Sequence, residues 1–93
     1  MLKAGDVLLV DVREAFEHAQ ERIAGARLVP LSRFGAHDFS DDSARMKAAI
    51  FYCRSGSRTR RDARHFARTG FADVYVLDGG IMAWKRAGLT TRA

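Results

Sequence analysis

Short apolar runs alternate with helix-like segments along the whole chain, and this alternation constrains the fold more than any other feature. The runs are residues 7–10, 28–29, 49–52 and 74–77. They are apolar or aromatic at every position rather than at alternate positions, which is typical of strands buried on both faces. The sequence therefore predicts an α/β domain of three layers, α/β/α, with a mainly parallel central sheet.

The segments between these runs predict the helices and loops. They are, in order, a loop and a helix over 11–20, a helical turn over 31–34, a surface loop over 35–43, a helix over 59–69, and a helix after Gly79-Gly80 that ends near Gly88. Gly70 is a suitable C-cap for the helix over 59–69. The paired glycines lack a nucleotide-binding pattern, so they predict a structural turn. Trp84 is predicted to anchor the core.

The length of 93 residues allows one domain, residues 1–93, and no second one. No apolar run approaches the roughly 20 residues that span a bilayer, and residues 1–6 lack a secretory signal pattern. Cys53 is the only cysteine, which excludes an internal disulfide and a cysteine-rich metal site. The three histidines are predicted to lie on the surface. We expect a cytoplasmic protein without a metal or an organic cofactor, and a membrane association only as part of a longer, tethered chain.

Cys53 opens a short loop, Cys53-Arg54-Ser55-Gly56-Ser57-Arg58, between a predicted strand and a predicted helix. Gly56 permits a positive φ, which turns successive N–H groups inward as a nest for an anion. The helix N-terminus and the two arginines favour the thiolate over the thiol. The loop therefore predicts a nucleophilic cysteine.

The net charge of +5 is concentrated near this loop, since six arginines lie between residues 54 and 68. They could form a solvated helix face, or they could focus small anions on the loop. Nucleic-acid binding would need stacking aromatic residues or a known module. Neither is visible, so no nucleic-acid partner is predicted.

Four motifs in the same order give the chain a family resemblance. They are Asp11-Val12-Arg13-Glu14, Pro30-Leu31, the loop from Cys53 to Arg58, and the tail Gly79-Gly80-Ile81-Met82-Ala83-Trp84-Lys85-Arg86-Ala87-Gly88-Leu89. Over nearly its whole length the chain resembles single-domain rhodaneses, a family of sulfurtransferases.

The chain departs from the rhodanese pattern in two places. The family's Gly-His-Ile-Pro-Gly-Ala segment is Glu21-Arg22-Ile23-Ala24-Gly25-Ala26 here, a segment expected to pack rather than react. Rhodanese domains also carry a further strand and helix before the Asp-Val-Arg strand. Residues 1–5 are expected to be the end of that helix, so the chain is expected to begin inside the domain and to expose part of one sheet face.

The resemblance implies a sulfurtransferase that carries sulfane sulfur as a persulfide on Cys53. The donor would be thiosulfate or a similar anion, and the acceptor cyanide, a thiol or a protein cysteine, in a ping-pong scheme. Arg54 and Arg58 are expected to bind the donor anion, with Ser55 and Ser57 as hydrogen-bond donors and Gly56 shaping the nest. Asp11 and Arg13 are supporting candidates, either as a charged edge of the pocket or as an internal salt bridge that braces the strand end.

Two other functions stay open. Cysteine phosphatases and arsenate reductases place five residues between cysteine and arginine, whereas Cys53 and Arg58 are separated by four. The shorter loop makes a tighter nest and favours sulfur over phosphate. The second alternative is a non-catalytic rhodanese-like module that binds partners or senses redox state.

Overall fold

Parallel strands and short helices alternate along the chain in the computed structural model, which describes residues 7–92. The elements are β1 (Val7–Asp11), α1 (Ala15–Gln20), β2 (Arg22–Ile23), β3 (Arg27–Leu28), a 3₁₀ helix (Leu31–Ala36), α2 (Ser40–Arg45), β4 (Ala48–Tyr52), α3 (Ser57–Arg61), α4 (Ala63–Ala67), β5 (Asp73–Val76), α5 (Gly80–Arg86) and β6 (Thr91–Arg92). Four strands pair in parallel in the order β3-β1-β4-β5. The parallel sheet predicted from the apolar runs is confirmed, with each strand within one residue of its predicted position.

Side chains from both faces of this sheet are buried, as the continuous apolar runs require. On one face, Val10 and Phe51 join a large cluster with Phe66 of α4, and the Phe51 and Phe66 rings stack with centroids 4.5 Å apart. On the other face, Tyr52 packs with Ile81 of α5. Burying a phenylalanine such as Phe66 stabilises the fold by about 1.5–3 kcal/mol. Helices on both faces complete the three predicted layers.

Two parts of the secondary-structure prediction were wrong. Residues 35–43 do not form one loop, because the 3₁₀ helix extends to Ala36 and α2 begins at Ser40. Asp38 accepts a hydrogen bond from the Ser40 N–H (2.9 Å), and Phe39 is buried at the start of α2. The single helix predicted over 59–69 starts earlier, at the beginning of α3, and is divided at Asp62, whose dihedrals (φ −106°, ψ 17°) leave the helical range.

A small antiparallel pair, β2 with β6, was not predicted. Ile23 pairs with Thr91, and Ile23 is buried. Glu21 holds the pair in place, because its carboxylate accepts hydrogen bonds from Thr91 (2.7 Å) and from Lys85 of α5 (2.8 Å). The segment that departs from the rhodanese pattern, residues 21–26, therefore holds strand β6 against the rest of the protein.

The second sheet face is covered less completely than the first. Leu9, Ile50 and Leu77 are half-buried and line an apolar cavity of about 600 Å³. Trp84 is half-buried beside them, and its Nε1–H donates to the Thr90 carbonyl (2.9 Å). The helix end predicted over residues 1–5 lies outside the described residues. Across residues 7–92, the helices are too short or too polar to cross a membrane.

Candidate active site at the Cys53 loop

The loop that follows β4 encloses the sulfur of Cys53. Gly56 has φ 95° and ψ −11° as the N-cap of α3, so the predicted positive φ at this glycine is confirmed. In this conformation the Gly56 N–H donates to Cys53 Sγ at 3.1 Å. Cys53 exposes none of its surface. The thiol therefore lies inside the nest rather than at its mouth.

The loop favours ionisation of this thiol. Burial alone would raise the pKa of Cys53. Hydrogen bonds from the backbone N–H groups of Thr59, Gly56 and Arg58 and from the Thr59 hydroxyl outweigh burial, so the pKa lies below its ordinary value. Because α3 has only five residues, its summed dipole is weak and the individual donors stabilise the thiolate.

Thr59 is a site residue that the sequence analysis missed. It is fully buried, its Oγ1 lies 3.7 Å from Cys53 Sγ, and it donates to the Gly56 carbonyl at 3.0 Å. The hydroxyl has one hydrogen, so it can donate either to that carbonyl or to the sulfur of the Cys53 thiolate. Thr59 precedes the buried Phe66 by seven residues, the spacing of one helix face, and this was the available signal.

Arg58 is held by an acidic residue that the sequence analysis did not single out. Its Nη1 and Nη2 donate to Oε1 and Oε2 of Glu17, each at 3.0 Å. Glu17 also accepts from the Glu14 N–H at 3.0 Å. The bonds from Arg58 hold the pKa of Glu17 below its usual range, and Glu17 raises that of Arg58. No local pattern could reveal the pair, because 41 residues separate its members.

The other predicted loop residues face outward. Arg54, Ser55 and Ser57 are exposed, and the two serine hydroxyls lie 3.4 Å apart. Within residues 7–92, Arg54 forms no ion pair. Arg54 borders a cavity of about 550 Å³ between α1 and α5, which is also lined by Arg13, Phe16, Glu17, Gln20, Glu21, Ile81, Met82 and Lys85. Of the two arginines predicted to bind the donor, only Arg54 therefore presents its charge without a carboxylate partner.

Asp11 is the centre of a buried network beneath the loop. Arg13 donates to it from Nε (2.9 Å) and Nη2 (2.8 Å), and Tyr52, the residue before Cys53, donates from its hydroxyl (3.0 Å). His18 donates from Nδ1 (2.9 Å) and is half-buried, so its predicted place on the surface was wrong. Of the two arrangements considered for Asp11 and Arg13, the structure contains the internal salt bridge.

The protonation of this network follows from its contacts. Burial opposes ionisation of Asp11, but the bonds from Arg13 and His18 prevail and lower its pKa. Burial is also the main cause that raises the pKa of Tyr52, to about 12. The carboxylate therefore stays charged and the phenol stays neutral at physiological pH. The network fixes the ends of β1 and β4 relative to each other, directly below the reactive loop.

The start of α5 holds the loop from the other side. The N–H groups of Ile81 and Met82 donate to the carbonyls of Cys53 (2.9 Å) and Arg54 (3.0 Å). This approach requires Gly80, which has φ 60° and on which a Cβ would lie 2.6 Å from the Arg54 carbonyl oxygen. The paired glycines form a structural turn, as the sequence predicted.

Replacing Gly80 by alanine is expected to distort the loop and reduce stability, because the added methyl group collides with backbone atoms that cannot rotate away. Gly25→Ala is the matched control: Gly25 also has a positive φ (83°), but nothing lies within 4 Å of its Cβ position. We expect the control to lose about 1–2 kcal/mol of unfolding free energy from the backbone conformation alone. Urea unfolding should find a larger loss in Gly80→Ala, and equal losses in both variants would contradict the steric explanation.

Among residues 7–92, no group of histidine, cysteine and acidic side chains could hold a metal ion.

Comparisons with known proteins agree with the geometry of the Cys53 loop. The family model for the rhodanese-like domain matches residues 1–87. The fold is similar to a rhodanese-related protein of Thermoplasma volcanium (TM-score 0.75, 26% identity, 94% of this chain and 84% of that one).

Two proteins that are similar in sequence are named as sulfurtransferases. The chain is 32% identical over 85 residues to thiosulfate sulfurtransferase GlpE of Coxiella burnetii, covering 91% of this chain and 78% of that protein. It is 36% identical over 84 residues to a sulfurtransferase of Allochromatium vinosum, covering 90% and 77%. An uncharacterized protein of Synechocystis is 38% identical, and the chain spans 46% of its length. These matches and the fold place the chain in the rhodanese family, as a rhodanese-like domain.

Proposed function

We propose that the chain is a sulfurtransferase that carries sulfane sulfur as a persulfide on Cys53. The observation that supports this most directly is the enclosed thiol, which accepts the Gly56 N–H at 3.1 Å and has a lowered pKa. A thiolate at neutral pH is the form that attacks sulfur. The GlpE relative is named a thiosulfate sulfurtransferase, so thiosulfate is the donor that we propose.

The reaction has two displacement steps. The Cys53 thiolate attacks the outer sulfur of thiosulfate, the sulfur–sulfur bond of the donor breaks, and sulfite leaves with the electron pair. A second nucleophile, either cyanide or the thiolate of an acceptor, then attacks the outer sulfur of the Cys53 persulfide. The sulfur–sulfur bond breaks and the electron pair returns to Cys53. The enzyme alternates between two forms, which predicts ping-pong kinetics.

The loop residues have different roles in this scheme. Arg54 attracts the donor anion, since its charge has no carboxylate partner within residues 7–92, while Ser55 and Ser57 are hydrogen-bond donors at the loop surface. Arg58 is braced by Glu17 (3.0 Å) and sets the loop shape, with its backbone N–H directed to the sulfur. Because Cys53 is fully buried, the donor reaches it only when the loop opens.

Intact-mass measurement after treatment with thiosulfate tests this function. The protein should gain the mass of one sulfur atom, and cyanide should remove it as thiocyanate. Turnover of an aryl phosphate by the same sample would instead support a cysteine phosphatase. A folded protein that takes sulfur from neither thiosulfate nor polysulfide would support the alternative of a non-catalytic binding or redox-sensing module.

A further inference from the structure

The two halves of the reactive loop are held in different ways. The carbonyls of Cys53 and Arg54 accept backbone N–H groups from the start of α5, at 2.9 and 3.0 Å. Residues 55–58 are held differently: within residues 7–92, the hydrogen bonds that join them to another element all run from Arg58 to Glu17 of α1, two bonds of 3.0 Å. One side-chain pair therefore fastens the half of the loop that carries Gly56, whose N–H reaches the sulfur at 3.1 Å.

This pair lies at the rim of the site rather than in the core. The side chain of Arg58 is 29% exposed and that of Glu17 is 17% exposed, whereas the side chains of the pair beneath the loop are 6% and 0% exposed. Glu17 also lines the cavity of about 550 Å³ that Arg54 borders. An anion that enters this cavity therefore meets the pair, and a partly exposed pair is easier to separate than a buried one.

The Glu17 carboxylate and the donor anion require the same partner. The guanidinium fork of Arg58 binds the oxygens of a carboxylate and of a tetrahedral oxyanion in the same bidentate manner, and the sulfonate end of thiosulfate is such an oxyanion. Glu17 also places a negative charge beside the cavity, where it repels the donor. If the donor replaces Glu17, Arg58 stays paired while the loop is released from α1.

We propose that Glu17 latches the loop closed over Cys53, and that the donor anion opens it by taking the place of Glu17 on Arg58. The inference rests on the proposed function and adds a regulation of the same site. Glu17 acts through Arg58 and does not touch the sulfur, so it is a positioning residue. The exchange changes no covalent bond. The protein exposes its nucleophile when a donor anion is present and shields it from neutral thiol reagents at other times.

Alkylation by iodoacetamide measures the latch without any sulfur transfer. The reagent is neutral, and Cys53 is the only cysteine, so intact mass reports labelling of one site. Where the loop recloses faster than it is labelled, the rate follows the open fraction. We expect Glu17→Gln to be labelled about fivefold faster, the factor that one partly exposed ion pair can supply. The rates are compared at the pH where the thiol is fully ionised in both proteins, so a changed pKa of Cys53 does not contribute.

Glu21→Gln is the matched control for this measurement. Glu21 lines the same cavity and pairs with Lys85 of α5 at 2.8 Å, so its substitution removes the same charge without releasing the loop. The labelling rate of Glu21→Gln should stay close to that of the unmodified protein, and urea midpoints report whether both variants are folded. Equal labelling rates in Glu17→Gln and Glu21→Gln would overturn the latch.

Thiosulfate kinetics separate a latch from a simple brace. With a larger open fraction, the KM for thiosulfate should fall in Glu17→Gln by about the same factor as the labelling rate rises. Arg58→Gln also releases the loop and should be labelled faster, yet its KM should rise because the guanidinium that receives the anion is gone. A pair that only braces the loop would raise KM in both variants, and that result would overturn the exchange.

The unmodified protein gives an independent measurement of the same exchange. Sodium sulfate supplies an unreactive anion with the charge and shape of the donor. It should speed alkylation more than sodium chloride of equal ionic strength, and the difference should be absent in Arg58→Gln. Equal rates of the unmodified protein in the two salts would overturn the exchange even if the variants failed to fold. Failure of thiosulfate to load sulfur would overturn the proposed function, and alkylation would still decide the latch.

Discussion

Replacing Cys53 by serine is expected to abolish sulfur transfer while leaving the fold intact. A serine hydroxyl does not ionise near neutral pH and cannot hold a sulfane sulfur, so turnover should fall to the uncatalysed background, a loss of about a thousandfold or more. The hydroxyl is close to the thiol in shape and can still accept the Gly56 N–H that now reaches Sγ at 3.1 Å. The folded loop therefore persists without its nucleophile.

Intact mass after thiosulfate treatment and thiocyanate release measure this loss directly. Cys53 is the only cysteine in the chain, so no other thiol can take up sulfur in the variant. The urea midpoint of the serine variant serves as the control for folding. Turnover within tenfold of the unmodified protein would show that sulfur does not pass through Cys53.

Replacing Asp11 by asparagine is expected to cause a large loss of stability. The substitution removes a buried charge that accepts bonds from Arg13, His18 and Tyr52, and it leaves the Arg13 guanidinium buried without an opposite charge. Breaking a buried ion pair in this way costs about 3–5 kcal/mol. The free energy of unfolding of a small domain is about 5–15 kcal/mol in total, so the variant should lose a large share of its stability.

The pH dependence and a matched control make this second prediction specific. The folded state lowers the pKa of Asp11, so its contribution is complete above the unfolded pKa of about 4 and is lost as the pH falls through the lower folded value. The difference in unfolding free energy between the unmodified protein and Asp11→Asn, measured in urea, should therefore become smaller in acid. Asp62→Asn removes a more exposed pair with Arg61 (3.4 Å) and should cost at most about 1 kcal/mol. Equal losses of unfolding free energy in Asp11→Asn and Asp62→Asn would contradict a special contribution of the buried network to stability.

The sequence predicted the strands because each one is specified locally. A run such as Ala48 to Phe51 is apolar at every position and short, which favours a strand in a sheet covered on both faces. The helix α2 was missed because its residues are mostly polar, and its stability comes from Phe39 in the core and from an ion pair between Asp42 and Arg27 (2.7 Å). The β6 strand was missed because the contacts that hold it, from Glu21 to Thr91, cross 70 residues.

The same distinction between local features and distant contacts applies to the candidate site. The cysteine, the glycine with a positive φ and the turn at Gly79 and Gly80 are local features with local requirements, and the sequence displays them. The partner of Arg58 could not be found, because Glu17 reaches it only after α1 and α3 are packed together. The roles of Arg54 in attracting the donor and of Ser55 and Ser57 as hydrogen-bond donors stay predictions.

The pairing of β1 with β4 has a consequence for how the protein is made. The bond between Tyr52 and Asp11 spans 41 residues, and such distant contacts form late, after the entropy of closing the chain has been overcome. Until then Cys53 lacks the buried network of Asp11 beneath it. A newly synthesised chain therefore completes the surroundings of its reactive sulfur only when β1 and β4 have paired.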